Sequence, residues 1–210
     1  MNKVRIGVLA SGSGSNFGAI AAQAQSPHYP GEVAVLICNQ APAYARERAR
    51  QLGLPEHLIP NRDYAHREDH DRAVVAALQA HQVELVVMAG WMRVATPVLL
   101  AAYPDRILNI HPSLLPSFRG MHAVQQALNY GVKISGCTVH IVRLEVDSGP
   151  ILAQAAVPVY PEDTVASLQQ RIQSEEHRIY PEAIAQYIQS GYRLPQMPTN
   201  AAIPATLDRQ

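Results

Sequence analysis

An amide and an imidazole stand two residues apart near the middle of the chain, at Asn109 and His111. Both end a predicted strand, and because strand side chains alternate between faces, they should point to the same side. In an open α/β sheet, ligands bind outside the carboxyl ends of the strands. An amide can donate a hydrogen bond, and an imidazole can move a proton near neutral pH. The spacing favours a catalytic pair, although a turn-capping Asn109 and a surface His111 are also compatible with it.

A carboxylate that could serve this pair follows the next long strand. Asp147 lies in the turn Leu144–Pro150, which closes with Ser-Gly-Pro. Aspartate often caps such turns, and that structural role is the simpler interpretation. The functional alternative places Asp147 beside His111, where a carboxylate would favour the charged imidazole and fix its tautomer.

Glycines follow the first predicted strand and precede the first predicted helix. Gly12 and Gly14 would let the backbone approach a ligand, and the free N–H groups at the helix start would suit a phosphate. The turn is not a P-loop, since no Gly-Lys-Ser/Thr follows it. NAD is disfavoured because the second strand ends in Cys38-Asn39-Gln40, without an acidic residue for the ribose. A tight turn without a ligand stays the alternative.

One carboxylate falls on the apolar stripe of the last predicted helix. Glu176 follows Ile172 by four residues, so it should point toward the core. A carboxylate there is costly unless it is paired. The pattern predicts either an ion pair or a group that holds an amine or hydroxyls in a crevice. The apolar members of the stripe are Val165, Leu168, Ile172 and Ile179.

Three other features of the sequence do not by themselves predict a functional site. His66 and His70 are one helical turn apart, but no third ligand is evident, so no metal site is predicted. The mixed charges of residues 62–72 are typical of a solvated helix face. Trp91 and Met92 follow Gly90 at a strand end, where they could belong to the core or to a pocket wall.

These side chains need a frame, and the alternation of apolar runs with helical patterns predicts one. The fold class is α/β: an open, Rossmann-like, mainly parallel twisted sheet with helices on both faces. Two long strands of the C-terminal half, Ile134–Val142 and Ile151–Val159, should add antiparallel strands. A helix over Val165–Ile179 should be interrupted near Pro181 and resume to about Ile188. The other predicted strands are Val4–Ala10, Val33–Cys38, His57–Pro60, Val83–Ala89 and Arg106–Ile110, and the other helices are Phe17–Gln25, Ala43–Leu52, Arg67–His81, Pro97–Ala102 and Ala123–Tyr130.

The charge balance narrows the function classes. Seventeen Lys and Arg face 17 Asp and Glu in 210 residues, so the formal net charge is zero. Nucleic acid is held by clustered basic residues, and this balance argues against such a partner. Hydrophobic residues make up 48% of the chain, but no apolar run approaches the length of roughly 18 residues that spans a membrane. We expect a soluble, cytoplasmic protein in which Cys38 and Cys137 are buried free thiols.

Taken together, these segments resemble the folate-dependent formyltransferase superfamily, and within it the phosphoribosylglycinamide formyltransferases. The resemblance covers about residues 4–190. The Asn-x-His-Pro-Ser motif marks the superfamily, whereas the Ser-Gly-x-Gly-Ser-Asn turn and the Glu-His-x-Ile-Tyr-Pro helix point to this member. In chain order, the segments are Ala10–Asn16, Ala89–Arg93, Leu108–Pro116, Val146–Pro150 and Glu175–Pro181.

The resemblance implies an enzyme of de novo purine biosynthesis. It would transfer a formyl group from 10-formyltetrahydrofolate to the amine of glycinamide ribonucleotide, by direct attack through a tetrahedral intermediate. Asn109, His111 and Asp147 match the catalytic trio of the family. Formyl-folate would be a co-substrate, and neither a metal nor NAD is implied.

The resemblance also implies two binding regions. Gly14, Ser15 and Asn16 would receive the phosphate and ribose side of the ribonucleotide, and Glu176 would bind its ribose hydroxyls. Trp91 stands where the family usually has Phe, and Ser117–Gly120 is more basic than usual there. The residues implied for formyl-folate are Arg67, Met88, Met92, Arg93, Val94 and Ala95, together with the loop of Arg143, Leu144, Glu145, Val146 and Asp147.

Alternatives keep part of this pattern. A formyltetrahydrofolate hydrolase-like enzyme would pass the formyl group to water, and a non-catalytic nucleotide-binding module would leave the trio without a shared purpose. A methionyl-tRNA formyltransferase would need a further, basic domain.

The expected layout is one formyltransferase domain over residues 1–190, nucleotide-binding in its N-terminal half and folate-binding in its C-terminal half, with a tail over residues 191–210. It should act as a monomer or a homodimer on small molecules, without nucleic acid or membrane.

Overall fold

A seven-stranded sheet in the order β3-β2-β1-β4-β5-β6-β7 forms the centre of the computed structural model, which describes residues 3–195. The strands β1 to β5 run parallel, β6 runs antiparallel to β5, and β7 runs antiparallel to β6. The strands are β1 (Val4–Ala10), β2 (Gly31–Cys38), β3 (Glu56–Leu58), β4 (Leu85–Met88), β5 (Ile107–His111), β6 (Ile134–Ile141) and β7 (Ile151–Pro158). The helices are α1 (Ser15–Ala24), α2 (Tyr44–Gln51), α3 (Arg67–Ala80), α4 (Pro97–Ala102), α5 (Ala123–Tyr130) and α6 (Val165–Gln189), with a 3-10 turn at Asn61–Asp63.

Buried apolar side chains cover both faces of the sheet. One core includes Phe17 of α1 and Tyr180 of α6, and the other includes Leu78 of α3 and Leu99 of α4. All four residues of β4 are buried, as expected of a central parallel strand that is covered on both faces. The predicted α/β class, the mainly parallel sheet and the antiparallel C-terminal strands are therefore confirmed.

The bounds of the predicted elements agree well with the structure. β1, α4 and α5 have the predicted bounds, and most other ends differ by one or two residues. The strand order reverses at β1: β2 and β3 follow on one side of it, and β4 to β7 on the other. Such a switch point opens a crevice at the carboxyl ends of the strands. The glycine turn after β1 and the Asn109–His111 segment of β5 both lie at that edge.

The last helix departs from the prediction. α6 is continuous and carries Pro181 inside it, so the predicted interruption is wrong. Proline removes one intrahelical hydrogen bond because it has no N–H. Burial offsets that loss: Tyr180, Pro181 and Ile184 are buried, and the Tyr29 hydroxyl donates to the Pro181 carbonyl at 2.9 Å. The helix also begins with a capping box of Thr164 and Ser167.

No helix within residues 3–195 is long and apolar enough to cross a membrane. The tail predicted for residues 191–210 lies, from residue 196 on, outside the described residues. The single domain over residues 1–190 and the monomer or homodimer stay predictions.

Candidate active site

The carboxyl end of β5 presents an amide and an imidazole on one face. Leu108 and Ile110 point into the apolar core, so Asn109 and His111 take the opposite face. The antiparallel register sets Asn109 opposite His140 of β6. The Asn109 Nδ2 atom lies 3.2 Å from His140 Nε2.

Asp147 reaches both histidines from the turn after β6. Its Oδ2 lies 3.3 Å from His111 Nδ1, and its Oδ1 lies 3.5 Å from His140 Nε2. The Gly120 N–H donates to Oδ2 at 2.9 Å and fixes the carboxylate from the other side. Asp147 has a backbone φ of 51°, in the left-handed region that short polar side chains tolerate. The structure thus brings Asn109, His111 and Asp147 to one place, with Asn109 joined to the carboxylate through His140.

His140 is the residue of this cluster that the sequence analysis missed. It is buried, and its Nδ1 donates to the Ile141 carbonyl at 3.1 Å. With the proton on Nδ1, the neutral ring accepts the Asn109 amide at Nε2. A second proton at Nε2 would face Asp147. The only signal for this residue was its place in a predicted strand, since an antiparallel register cannot be read from spacing alone.

The two ring nitrogens of His111 have different partners. Nε2 donates to the Phe118 carbonyl at 2.8 Å, while Nδ1 faces the Asp147 carboxylate. Both ring nitrogens therefore face hydrogen-bond acceptors. The Nε2 proton points at a backbone carbonyl, and the Asp147 carboxylate lies beside Nδ1.

Asp147 is the counter-charge of this cluster. Burial by itself would raise the pKa of its carboxyl group, but the contact with His140, the hydrogen bond from Gly120 and the electrostatic effect of the two histidines outweigh burial. The pKa of Asp147 is therefore below its usual value, and the carboxylate is ionised at neutral pH. This ionised form stabilises the fold above the ordinary carboxyl pKa, and the contribution is lost as pH falls through the lowered value.

The glycine turn lies beside α2. Gly14 caps α1 with a φ of 69°, and a Cβ atom there would lie 2.5 Å from the Ala45 Cβ. A side chain is thus excluded by both conformation and space. The Ala45 N–H donates to the Gly12 carbonyl at 3.1 Å, and Arg48 Nε donates to the Ser13 carbonyl at 2.9 Å. α2 therefore fixes the turn that exposes the first N–H groups of α1.

Glu176 of α6 reaches this turn. It is 8% exposed, and its Oε2 accepts a 2.8 Å hydrogen bond from Asn16 Nδ2. Burial raises the pKa of Glu176 although the Asn16 bond acts in the opposite direction. Among the described residues, the buried Asn16 Oδ1 has no hydrogen-bond partner. One turn before Glu176, the side chain of Gln173 donates to Ser15 Oγ at 2.8 Å, a contact that sequence reasoning missed.

The Glu176→Gln variant is expected to be more stable than wild type at and above neutral pH. The raised pKa means that ionisation of Glu176 opposes folding, so the wild type loses stability as pH rises from the ordinary carboxyl pKa through the folded value. A glutamine can keep the Asn16 bond without that charge. Urea unfolding of both proteins across pH 4–9 measures the difference in free energy of unfolding. A difference that does not grow with pH would contradict the raised pKa.

A cavity of about 410 Å³ adjoins the glycine turn between α1, α2 and α6. Arg48 lies over the Tyr44 ring at 5.0 Å, and within residues 3–195 its two terminal nitrogens have no hydrogen-bond partner. In the same described part of the chain, His177 Nε2 is buried without a partner. Burial, and then the Arg48 charge, lower the pKa of His177. The cavity lining is Ser15, Gly18, Ala19, Arg48, Gln51, Leu52 and His177.

The residues implied for formyl-folate lie on two exposed segments and on their buried supports. Met88 and Ala95 are buried, whereas Met92 and Val94 are exposed. Arg143 pairs with Asp105 at 2.6 Å. In the loop after β6, Glu145 pairs with Arg119 at 3.1 Å, which joins this loop to the one after His111. Of the others, Arg67, Leu144 and Val146 are exposed, and Arg93 is partly exposed.

The solvated face predicted for residues 62–72 is wrong in two places. His70 is fully buried and Asp71 is 3% exposed. Of the two alternatives for Trp91, the structure favours the core: the side chain is 8% exposed and its ring stacks on His70. Met92, by contrast, is 75% exposed. Most of this stretch is exposed as predicted, but helical periodicity could not show which of its polar residues have partners in the core.

Comparison with known proteins defines the class to which this fold and site belong. The sequence profile of the formyl transferase family matches residues 4–184. A phosphoribosylglycinamide formyltransferase of Bacillus subtilis (strain 168) is 40% identical over 184 residues, which are 88% of this chain and 94% of that protein. The chain belongs to the formyl transferase family.

Two further relatives are a solved structure and a longer, trifunctional protein. The crystal structure of glycinamide ribonucleotide transformylase 1 from Symbiobacterium toebii has a TM-score of 0.88 at 51% identity, and it covers 90% of this chain and 89% of its own. The human trifunctional purine biosynthetic protein adenosine-3 is 40% identical over 189 residues, which are 90% of this chain and 19% of that protein.

Proposed function

We propose that this chain transfers the formyl group of 10-formyltetrahydrofolate to the amine of glycinamide ribonucleotide, as part of purine biosynthesis. The observation that carries the proposal is the contact of Asp147 with His111 and His140, with Asn109 bound to His140. That set supplies two hydrogen-bond donors and a counter-charge at one strand edge. The names of the relatives support the choice of substrates.

The chemistry is a direct transfer. The amine nitrogen attacks the formyl carbon, and the carbonyl oxygen gains negative charge in a tetrahedral intermediate. The bond between that carbon and the folate nitrogen then breaks, the folate nitrogen takes up a proton, and the amine gives one up. His111 Nε2 and the Asn109 amide donate to the oxyanion, for which His111 exchanges its bond to the Phe118 carbonyl. Each such donor is worth roughly 3 kcal/mol of transition-state stabilisation.

Asp147 and His140 support these donors. The carboxylate lies 3.3 Å from His111 Nδ1, where it would stabilise the positive charge that the ring gains when it takes up a proton. His140 holds the Asn109 amide, and its Nε2 lies 3.5 Å from Asp147 Oδ1. It can therefore take part in proton transfer with Asp147. These groups supply the donors and the proton transfers, and we propose neither a covalent enzyme intermediate nor a role for metal or NAD.

The ribonucleotide would bind along α1. Its phosphate would accept from the N–H groups at Gly14, Ser15 and Asn16. Arg48 supplies a positive charge next to this turn. The sequence alone predicted only backbone N–H groups for the phosphate. Glu176 would accept from the ribose hydroxyls, and a hydroxyl would also pair with the open Oδ1 of Asn16.

Arg48→Ala is expected to raise the KM for the ribonucleotide about 10- to 100-fold, as for the loss of a charge-assisted hydrogen bond. The KM for formyl-folate should change little. The control is Arg50→Ala, because Arg50 lies on the same helix but pairs with Glu47 and Glu56. Steady-state kinetics with each substrate varied in turn measure both constants. Equal effects of the two variants would remove Arg48 from the phosphate site.

The formyl-folate would lie against the segment of Met92, Arg93 and Val94 and the loop of Arg143 to Asp147. Met88 and Ala95 would form the floor of this pocket, and Arg67 would approach the folate tail. The exposed apolar side chains of Met92, Val94, Leu144 and Val146 suit an aromatic ligand. The two buried free cysteines fit a reducing compartment, and we propose the cytoplasm.

The test mixes the protein with 10-formyltetrahydrofolate, with and without glycinamide ribonucleotide. Deformylated folate that appears only with the ribonucleotide supports the transferase. Deformylated folate without the ribonucleotide indicates a hydrolase, and ribonucleotide binding without turnover indicates a binding module.

A further inference from the structure

Two adjacent residues of α3 are buried in a stretch that is otherwise charged and exposed. His70 has no exposed surface and Asp71 has 3%, whereas their neighbours Asp69 and Arg72 are exposed and pair with each other. Burying a carboxylate and an imidazole is unfavourable unless both find partners. The partners of this pair show what it does.

Asp71 holds the start of α4. Its Oδ2 accepts a 2.8 Å hydrogen bond from the N–H of Thr96, which is fully buried. Thr96 is also the N-cap of α4, and its hydroxyl accepts from the Val98 N–H at 3.3 Å. Burial raises the pKa of Asp71, but the contact with His70 and the hydrogen bonds from Thr96 outweigh it. The pKa is therefore lowered, and the anchoring group is a carboxylate at neutral pH.

His70 holds the other end of the same segment. Its ring is stacked on Trp91, with centroids 5.9 Å apart and planes 15° apart. Nε2 donates to the Ile59 carbonyl at 3.0 Å, and Nδ1 lies 3.6 Å from Asp71 Oδ1. The ring is thus fixed at Nε2 by the Ile59 carbonyl and presents its face to the indole.

Between these two anchors runs a short arch of residues 91–96. Its ends, Trp91 and Thr96, are buried, while Met92 and Val94 near its middle are 75% and 45% exposed. The Met92 N–H donates to Ser11 Oγ at 2.9 Å, which ties the arch to the end of β1. A segment with buried ends and an exposed middle presents its central side chains in one fixed place.

We infer that His70 and Asp71 are positioning residues that hold the two ends of the 91–96 arch and thereby set the wall that contacts formyl-folate. The inference rests on the proposed function, because it takes the arch as the folate wall. Neither residue touches the reacting atoms. They act on the folate site through Trp91 and Thr96, as supporting residues commonly act on ligand-binding side chains.

The first test uses Asp71→Ala. It should raise the KM for formyl-folate about 10-fold, an effect in the range of a lost hydrogen bond to a charged group, with the ribonucleotide KM and kcat within about twofold of wild type. Asp71→Asn should restore most of the affinity, since its amide oxygen can still accept the Thr96 N–H. Asp69→Ala removes an exposed carboxylate from the same helix and should behave as wild type. A similar rise in both KM values, or no rescue by asparagine, would overturn the inference.

The second test needs no substrate. Trp91 is the only tryptophan of the chain, so its fluorescence reports on the arch alone. In Asp71→Ala the emission should shift to the red and acrylamide quenching should increase, while Asp69→Ala matches wild type. Unchanged quenching in Asp71→Ala overturns the anchoring. If Asp71→Ala does not fold, His70→Leu removes the ring stack with a side chain of similar size. Its emission wavelength and acrylamide quenching then test the anchoring in the same way.

The two tests separate the inference from the function on which it rests. If wild type does not consume formyl-folate in the presence of the ribonucleotide, the proposed function fails, and quenching still decides whether the arch is anchored. If wild type is active and Asp71→Ala leaves both the quenching and the folate KM unchanged, only the anchoring fails.

Discussion

Replacing His111 by alanine is expected to lower kcat about 10³-fold, because the variant loses both an oxyanion donor and a group that can transfer a proton. The fold should survive, since His111 contributes a hydrogen bond to Phe118 and an ion pair to Asp147 rather than apolar core. The KM for either substrate should change much less than kcat, because the interaction is made mainly in the transition state. Steady-state kinetics at saturating substrates measure the effect.

The matched control is His28→Ala, which removes an exposed histidine in the turn after α1 and should keep the wild-type rate. Asn109→Ala removes the other donor and is expected to lower kcat about 10²- to 10³-fold. Thermal unfolding of each variant separates lost chemistry from lost fold. Near-wild-type turnover in both His111→Ala and Asn109→Ala would remove the cluster from the reaction.

Asp147→Asn is expected to lower kcat about 10²- to 10³-fold, because the variant loses the carboxylate that contacts both histidines. An amide does not titrate, so the variant should also lose the acid limit of activity that the Asp147 carboxyl group gives to wild type. On the acid side, wild type should stay active until pH falls through the lowered pKa of Asp147. The pH dependence of kcat for both proteins measures these limits.

Glu162→Gln is the control, since it neutralises an exposed carboxylate beyond β7. The double variant Asp147→Asn, His140→Asn should lose less than the product of the single losses, because the two side chains act as one unit. An acid limit that is identical in wild type and Asp147→Asn would contradict the role of the carboxylate.

The frame of the site could be predicted from local patterns. The alternation of strands and helices gave the parallel sheet, and strand ends then gave the edge at which Gly14 and His111 lie. Glu176 was identified by its conflict with an apolar stripe. These inferences succeed because each depends on a period of two or of 3.6 residues within one element.

Contacts between distant elements could not be predicted in this way. His140 joins the cluster only through the antiparallel register of β5 and β6, which spacing within either strand does not encode. Arg48 and Asp71 sit among other charges, and only their partners, Ser13 and Thr96, distinguish them. Pro181 shows the converse: a local rule predicted a break that burial of α6 overrides.

The most direct test of the account follows the formyl carbon itself. The protein is mixed with 10-formyltetrahydrofolate labelled with ¹³C in the formyl group and with glycinamide ribonucleotide, and the masses of the ribonucleotide and the protein are followed through a single turnover. The account predicts one labelled formyl group on the ribonucleotide for each folate released, with no label on the protein and no labelled formate. Label on the protein, or labelled formate beside an unchanged ribonucleotide, would contradict direct transfer.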